Sequence, residues 1–319
     1  MAVYTALSHG DAAALLDQYD IGAPLSLKPI AEGVENTNYS LLTPAGRFVL
    51  TIFEQRVAEA DVPFFIALMA HLAQSGFPAP QPVAAKSGAC LTRAKGKPAA
   101  IVTFLDGAWP RSWNAVHCAA IGEALARMHV ALQSFAPARA NTLGPAGWEA
   151  LIRPRLPQAQ TLQPGLAAAL TQDIDAVRAA WPSDLPRGAI HADLFPDNAL
   201  FDGERLCGVI DFYFACTDFL AYDLAVCLNA WCFSDERDYD LERGRAMIGA
   251  YEAVRPLSDA ERAELPVLAR GAALRFFATR LADWSATPGG ALVQPKDPLE
   301  YARKLAFHRA ARGASDYGA

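Results

Sequence analysis

Near the N-terminus, short apolar runs with strand character cover residues 25–30, 39–42 and 48–52, the last two joined by the turn Thr43-Pro44-Ala45-Gly46. This pattern predicts an antiparallel meander. From Asp61 onward the period changes, and Phe64, Phe65, Leu68 and Leu72 recur at the spacing of an amphipathic helix, with Asp61 placed to cap it and Gly76 to end it. After the proline-rich turn 77–82, residues 89–92 and 99–104 again read as strands. The first third is therefore expected to be a five-stranded sheet with one helix.

Beyond Asp106-Gly107 the pattern shifts to long helical periods, clearest at 116–132 and 259–284. One non-helical island interrupts them at 187–211. There a short apolar run leads into His191-Ala192-Asp193-Leu194-Phe195-Pro196-Asp197-Asn198. A predicted hairpin follows, 199–201 and 206–210 about the turn Asp202-Gly203, closing on Asp211. The expected class is α+β with two lobes, a sheet lobe over 1–105 and a mainly helical lobe over 106–319. The tail 313–319 is expected to fray.

Composition narrows the partners. Of the 319 residues 52% are hydrophobic and 19% charged, which excludes wholesale disorder. A net charge of -6 gives no general attraction to nucleic acid or to an anionic membrane. The six cysteines form no C-x-x-C pair and lie in apolar stretches, so buried thiols are expected rather than a zinc site or disulfides. Residues 1–20 carry no Lys or Arg and are interrupted by acids, unlike a signal peptide, and no stretch has the length of a membrane span. A cytoplasmic protein acting on a small molecule is expected.

Phosphoryl transfer to an alcohol needs a base at the hydroxyl, oxygen ligands for magnesium, and donors around the phosphates. His191, Asp193, Leu194 and Asn198 match the spacing H-x-D-L-x-x-x-N of a kinase catalytic loop, and Asp211-Phe212 matches the start of D-F-G. Asp193 is the candidate base, Asn198 and Asp211 the candidate magnesium ligands, and His191 a support for the loop. Read separately, Asp193 and Asp197 are also ordinary turn formers. The combination with Asn198 and Asp211 is what points to magnesium bridging phosphates. Ala192 stands where the pattern has arginine, and Tyr213 where it has glycine.

A lid over the phosphates is expected at 32–38, where Gly33, Val34, Asn36, Thr37 and Asn38 offer backbone amides and small polar side chains; taken alone the segment is a hairpin turn. Thr103 and Leu105 fall in a hinge whose backbone would pair with adenine. The third strand carries Thr51 where most kinases have a phosphate-binding lysine. Lys28 and Arg56 are the candidate replacements, or else solvated surface charges.

With these residues in order, the chain resembles the aminoglycoside phosphotransferase-like kinases, a branch of the protein-kinase fold that includes choline, methylthioribose and homoserine kinases. The resemblance runs through Gly76-Phe77-Pro78-Ala79-Pro80, Leu125-Ala126-Arg127-Met128-His129 and Tyr222-Asp223-Leu224-Ala225. Within that branch, residues 33–39, 48–54, 191–201 and 209–216 resemble the bacterial homoserine kinases. The resemblance implies a protein-kinase-like fold, ATP with Mg2+, and L-homoserine as the acceptor, in threonine biosynthesis. The alternatives are a kinase of the same family acting on another alcohol, such as choline, methylthioribose or an aminoglycoside, and a non-catalytic kinase-like binding module.

A zwitterionic amino acid would present its carboxylate to arginine and its ammonium to a carboxylate. Arg270, Arg275 and Arg280 recur along the 259–284 helix, and Asp218 and Asp223 follow the metal-binding strand. Each arginine either meets substrate or faces water, and Asp223 either meets the ammonium or braces the catalytic loop. Asn229 and Trp231 either line the pocket or pack. The candidate substrate set is Asp223, Asn229, Arg275 and Arg280. The tail 301–309 is basic, unlike the acidic surface an aminoglycoside polycation would favour.

Overall fold

The computed structural model describes residues 4–30, 36–54, 57–235, 237–286 and 295–319. Strands β1 (Ser26–Pro29), β2 (Thr37–Thr43), β3 (Gly46–Ile52), β4 (Thr92–Ala94) and β5 (Lys97–Thr103) form one antiparallel sheet in the order β1-β2-β3-β5-β4. The fold is α+β. β4 starts later than the expected 89–92, because Gly88 at φ +85° closes a turn from Ala85 to Ala89 and ladder pairing begins only at Thr92 opposite Ala99.

Side chains alternate across the sheet. Tyr39, Leu41, Phe48, Leu50, Ile52 and Ile101 share a core with Leu15 and Leu16 of helix α1 (His9–Leu16). Phe53, Ala100 and Val102 belong to the opposite face, which packs on helix α2 (Val62–Gln74) and the helical part of the chain. Asp61 stands at the N-cap of α2 without making the expected capping bond; its carboxylate instead accepts from Arg139 Nε at 2.7 Å. Gly76 follows the helix at φ +75°, a left-handed position that favours glycine.

The helical part contains α3 (Ala115–Ala131), α4 (Pro145–Ile152), α5 (Leu156–Leu162), α6 (Leu166–Ala180), α7 (Leu220–Trp231), α8 (Leu241–Val254), α9 (Asp259–Ala286) and α10 (Leu299–Ala310). α9 runs through it, packed by α4, α6, α7 and α10. Two short ladders carry the polar island: β6 (Arg187–Ile190) pairs with β9 (Cys216–Phe219), and β7 (Ala199–Asp202) with β8 (Arg205–Val209). The tail is docked rather than frayed, since Tyr317 is fully buried and its hydroxyl donates to His308 Nδ1 at 2.9 Å. All six cysteines are free thiols; Cys118, Cys216, Cys227 and Cys232 are buried, whereas Cys90 and Cys207 are half-buried, contrary to the expectation for all six. Among the described residues no helix is long and apolar enough to cross a membrane.

α3 and α8 touch backbone to backbone at Gly122, where an added Cβ would fall 2.0 Å from the Met247 carbonyl oxygen. The helix propensity gained by Gly122→Ala, up to about 1 kcal/mol, is outweighed by this clash, for which overpacking typically costs about 1–3 kcal/mol or more. Thermal unfolding of Gly122→Ala is expected several degrees below the parent. An unchanged or higher midpoint would refute the close contact.

Candidate active site

The chain leaves β6 at Ile190 and turns at Ala192, whose φ of +63° lies in the left-handed region. A non-glycine residue there costs on the order of 1–3 kcal/mol and persists only where its surroundings enforce it. Asp223 of α7 enforces it. Its Oδ2 accepts from the His191 amide and its Oδ1 from the Ala192 amide, both at 2.7 Å. His129 of α3 donates Nε2–H to the same Oδ2 at 3.1 Å, while its Nδ1 accepts from the Tyr251 hydroxyl of α8 at 2.8 Å. Arg255 then joins Tyr251 to Glu261. Burial by itself would raise the Asp223 pKa, but the hydrogen bonds it accepts from His129 and from the His191 amide hold it below the usual carboxylate value.

His191 is fully buried against Phe212, ring centroids 4.8 Å apart. Its Nδ1 accepts from the Asp193 amide at 3.2 Å, so the proton sits on Nε2, which donates to the Ile210 carbonyl at 3.0 Å. Burial pushes its pKa down and keeps the ring neutral. The Ile210 amide donates in turn to the Asn198 carbonyl at 2.9 Å. Asn198 Nδ2 donates to the Asp193 carbonyl at 2.8 Å and lies 3.3 Å from Asp193 Oδ2. These bonds gather Asp193, Asn198 and Asp211 at the mouth of the β7–β8 hairpin, with Asp211 itself at φ +62°. Burial pushes the Asp193 carboxyl up, partly opposed by Arg275 and His191. A more basic carboxylate is the better proton acceptor.

Asp211 and Asn198 offer one carboxylate and one amide oxygen. Among the described residues no group of three or more His, Cys, Asp or Glu is placed to hold a metal by itself. This donor set fits a magnesium ion completed by phosphate oxygens and water.

Of the lid residues, Gly33 and Val34 lie outside the described residues, as does Arg56. Asn36 accepts from the Glu54 amide at 3.2 Å. Thr37 faces away from the cleft, on the Tyr39 side of the sheet; its hydroxyl accepts from the Tyr4 and Thr5 amides and donates to Glu54. Glu54 also pairs with Lys97. Asn38 shares the other face with Thr51, whose hydroxyl donates to Asn38 Oδ1 at 2.8 Å. The Tyr213 hydroxyl lies 3.4 Å from Thr51 Oγ1, and the Tyr213 ring sits edge-on to Phe53 and Phe65. A neutral chain of polar groups thus runs from Asn38 through Thr51 to Tyr213. Lys28 is exposed on β1.

At the hinge, the Thr103 amide donates to the Gln81 carbonyl and its hydroxyl accepts from the Gln81 amide, both at 2.9 Å. Leu105 packs on Gly208, where a Cβ would fall 2.7 Å from Leu105 Cδ1. Paired bonds between Ala108 and Phe201 fasten the hinge to β7.

The three helical arginines go to three different places. Arg270 joins Arg309 on the buried Asp173. Arg280 pairs with Glu300 and donates to the Asp297 carbonyl at 3.1 Å. Arg275 reaches the catalytic loop, donating to the Ala192 carbonyl, with Nη2 3.6 Å from Asp193 Oδ1. Trp231 packs in the core and its indole donates to the Leu194 carbonyl at 2.8 Å. Asp218 is held by Asn141 and Arg187.

Asn229 is fully buried away from the cleft. Its amide donates to the Ala225 and Ala269 carbonyls at 3.0 Å, and its oxygen accepts from His308 Nε2 at 2.9 Å. The knot ties α7, α9 and α10 together, and both ends of the Asn229 amide are engaged within it. Asp223 is likewise spent on the loop. Sequence reading had no signal for His308, 79 residues from its partner, or for His129 as the second support of Asp223.

Burial, with Lys304 and Arg270 nearby, pushes the His308 pKa from 6.5 down to about 3. Between those values the unfolded chain binds a proton that the native state does not, so stability falls as pH drops, by up to about 1.4 kcal/mol per pH unit. The unfolding midpoint is expected to decline as pH is lowered from about 6.5 to 4.5, and less steeply in His308→Gln. Parallel pH profiles would exclude His308 as a source of that sensitivity.

A five-stranded sheet beside a helical body, with two carboxylates and an amide gathered on one loop and hairpin, is the arrangement of a kinase-type phosphotransferase. The chain belongs to the phosphotransferase enzyme family, whose model matches residues 26–257. Its full-length relatives include the homoserine kinase of Rhodospirillum rubrum, 56% identical over 318 residues, covering 100% of this chain and 99% of that protein. The homoserine kinase of Bradyrhizobium diazoefficiens is 54% identical over 319 residues, covering 100% and 98%. Among solved structures, a spectinomycin phosphotransferase matches with a TM-score of 0.67 at 12% identity, covering 98% of each chain. An amicoumacin kinase matches at 0.67 and 16% identity, covering 93% of this chain and 90% of that one. These likenesses show the protein-kinase-like fold.

Proposed function

We propose that the protein is an ATP- and magnesium-dependent homoserine kinase that forms O-phospho-L-homoserine in threonine biosynthesis. The observation that carries this reading is full-length identity of 53–56% to eight homoserine kinases, and the loop that presents Asp193, Asn198 and Asp211 supports it. Asp193 accepts the proton of the homoserine hydroxyl as that oxygen attacks the γ-phosphorus in line, and the bond to the β–γ bridging oxygen breaks, leaving ADP with the electron pair. Asn198 and Asp211 are the residues that would hold magnesium, which neutralises phosphate charge when bound. Residues 1–105 form the nucleotide-covering lobe and 106–319 the catalytic lobe. Asn38 and the hinge at Thr103 and Leu105 border the nucleotide. We place the protein in the cytoplasm, on the strength of its six free thiols.

The test is ADP release from Mg-ATP with homoserine, choline, methylthioribose or an aminoglycoside as acceptor. Release is expected with homoserine. Release with another alcohol and not with homoserine would overturn the substrate, and release with none of the four would overturn the kinase reading.

A further inference from the structure

The catalytic loop lacks the arginine of the kinase pattern, Ala192 standing in its place, yet a guanidinium is present there. It comes from Arg275 of α9, 83 residues away in sequence. The side chain is 3% exposed, and its Cζ lies 4.2 Å from the Phe276 ring centroid and 5.3 Å from that of Phe214. One donor goes to the carbonyl of left-handed Ala192, and Nη2 stands 3.6 Å from the Asp193 carboxylate. Phe214 lies in the turn that directly follows Asp211, so one buried cation touches the base loop and the metal-ligand turn together.

We propose that Arg275 is a positioning residue that orients Asp193, supplying from α9 the cation that the loop itself does not carry. This rests on the reading of Asp193 as the base. The planar fork of arginine serves two acceptors in fixed directions, which a lysine ammonium does not reproduce. A direct role in gripping the substrate carboxylate fits the geometry less well. Aromatic rings pack on the guanidinium, one of its donors is bonded to the Ala192 carbonyl, and Nη2 faces the Asp193 carboxylate at 3.6 Å. The rest borders a cavity of about 280 Å3, shared with Arg139, Phe65 and Tyr213 and lined on the catalytic-loop side by Ala192.

Steady-state kinetics of full-length Arg275→Lys test the proposal. The expected result is a kcat lowered roughly 10- to 100-fold with both KM values within about 3-fold, the split that marks an interaction made in the transition state. In Arg275→Ala, added guanidinium ion is expected to restore part of the lost turnover; should that variant fail to fold, the lysine variant decides alone. An unchanged kcat in Arg275→Lys would overturn the proposal. So would a homoserine KM raised roughly 10-fold or more at intact kcat, which would make Arg275 a substrate ligand. Asp193→Asn is assayed alongside: activity retained there would sink the base assignment itself, whereas an inactive Asp193→Asn beside a fully active Arg275→Lys would sink only the role of Arg275.

Discussion

Asp193→Asn is expected to lower kcat for homoserine phosphorylation by about 10^2- to 10^4-fold, the range typical of a lost general base. The substitution keeps the shape of the side chain and an oxygen to face Asn198 Nδ2, which lies 3.3 Å from the carboxylate in the parent. The loop should therefore hold its form. The KM for ATP is expected within about 3-fold of the parent, since the neighbours bonded through the Asp193 backbone, His191 and Asn198, are untouched. Initial-rate kinetics with a coupled ADP assay would read both quantities. Turnover near the parent rate would remove Asp193 from the base role, and a large rise in the ATP KM at constant kcat would recast it as a nucleotide ligand.

The parts of this site that sequence exposes are those built from neighbouring residues. Asp193 and Asn198 are five positions apart, and the hairpin that brings Asp211 beside them is written in alternating strands and the turn at Asp202-Gly203, where Gly203 has φ +60°. The five-stranded sheet is legible for the same reason, because each of its pairings joins short alternating runs. The supports of the loop come from far along the chain. Asp223, His129, Arg275 and Trp231 lie on three helices whose patterns tell only that they are buried or amphipathic. Spacing does not distinguish an arginine that pairs with Glu300 from one that reaches a carbonyl 83 residues away. Thr37 and Asn38 show the same limit at closer range. They are adjacent and both polar, yet the pleat sends one to the α1 side and the other to the cleft, and only strand register reveals which.

Removing Asp223 should have the largest effect on the fold of the site, because one carboxylate satisfies three donors and the left-handed turn at Ala192 depends on it. In Asp223→Ala the buried amides of His191 and Ala192 lose their acceptor and His129 Nε2–H loses its partner. Breaking a buried charged hydrogen-bond group of this kind costs about 3–5 kcal/mol, which for a chain of this size lowers the unfolding midpoint by roughly 10 °C. Turnover should fall too, by roughly 10- to 100-fold, since misplacement of Asp193 by about 1 Å is enough to produce such a loss. The pH dependence carries a further signature. The Asp223 pKa is depressed below 3.8 in the folded state, so its contribution is fully present above that value and is lost as pH falls through the folded pKa. Asp223→Ala should therefore lack this part of the acid destabilisation, its deficit relative to the parent shrinking below about pH 4. Differential scanning measurements across pH, with kcat at neutral pH, would test both halves. A midpoint and a turnover matching the parent would mean that the catalytic loop holds its shape without the brace, and that the bonds to Asp223 are incidental.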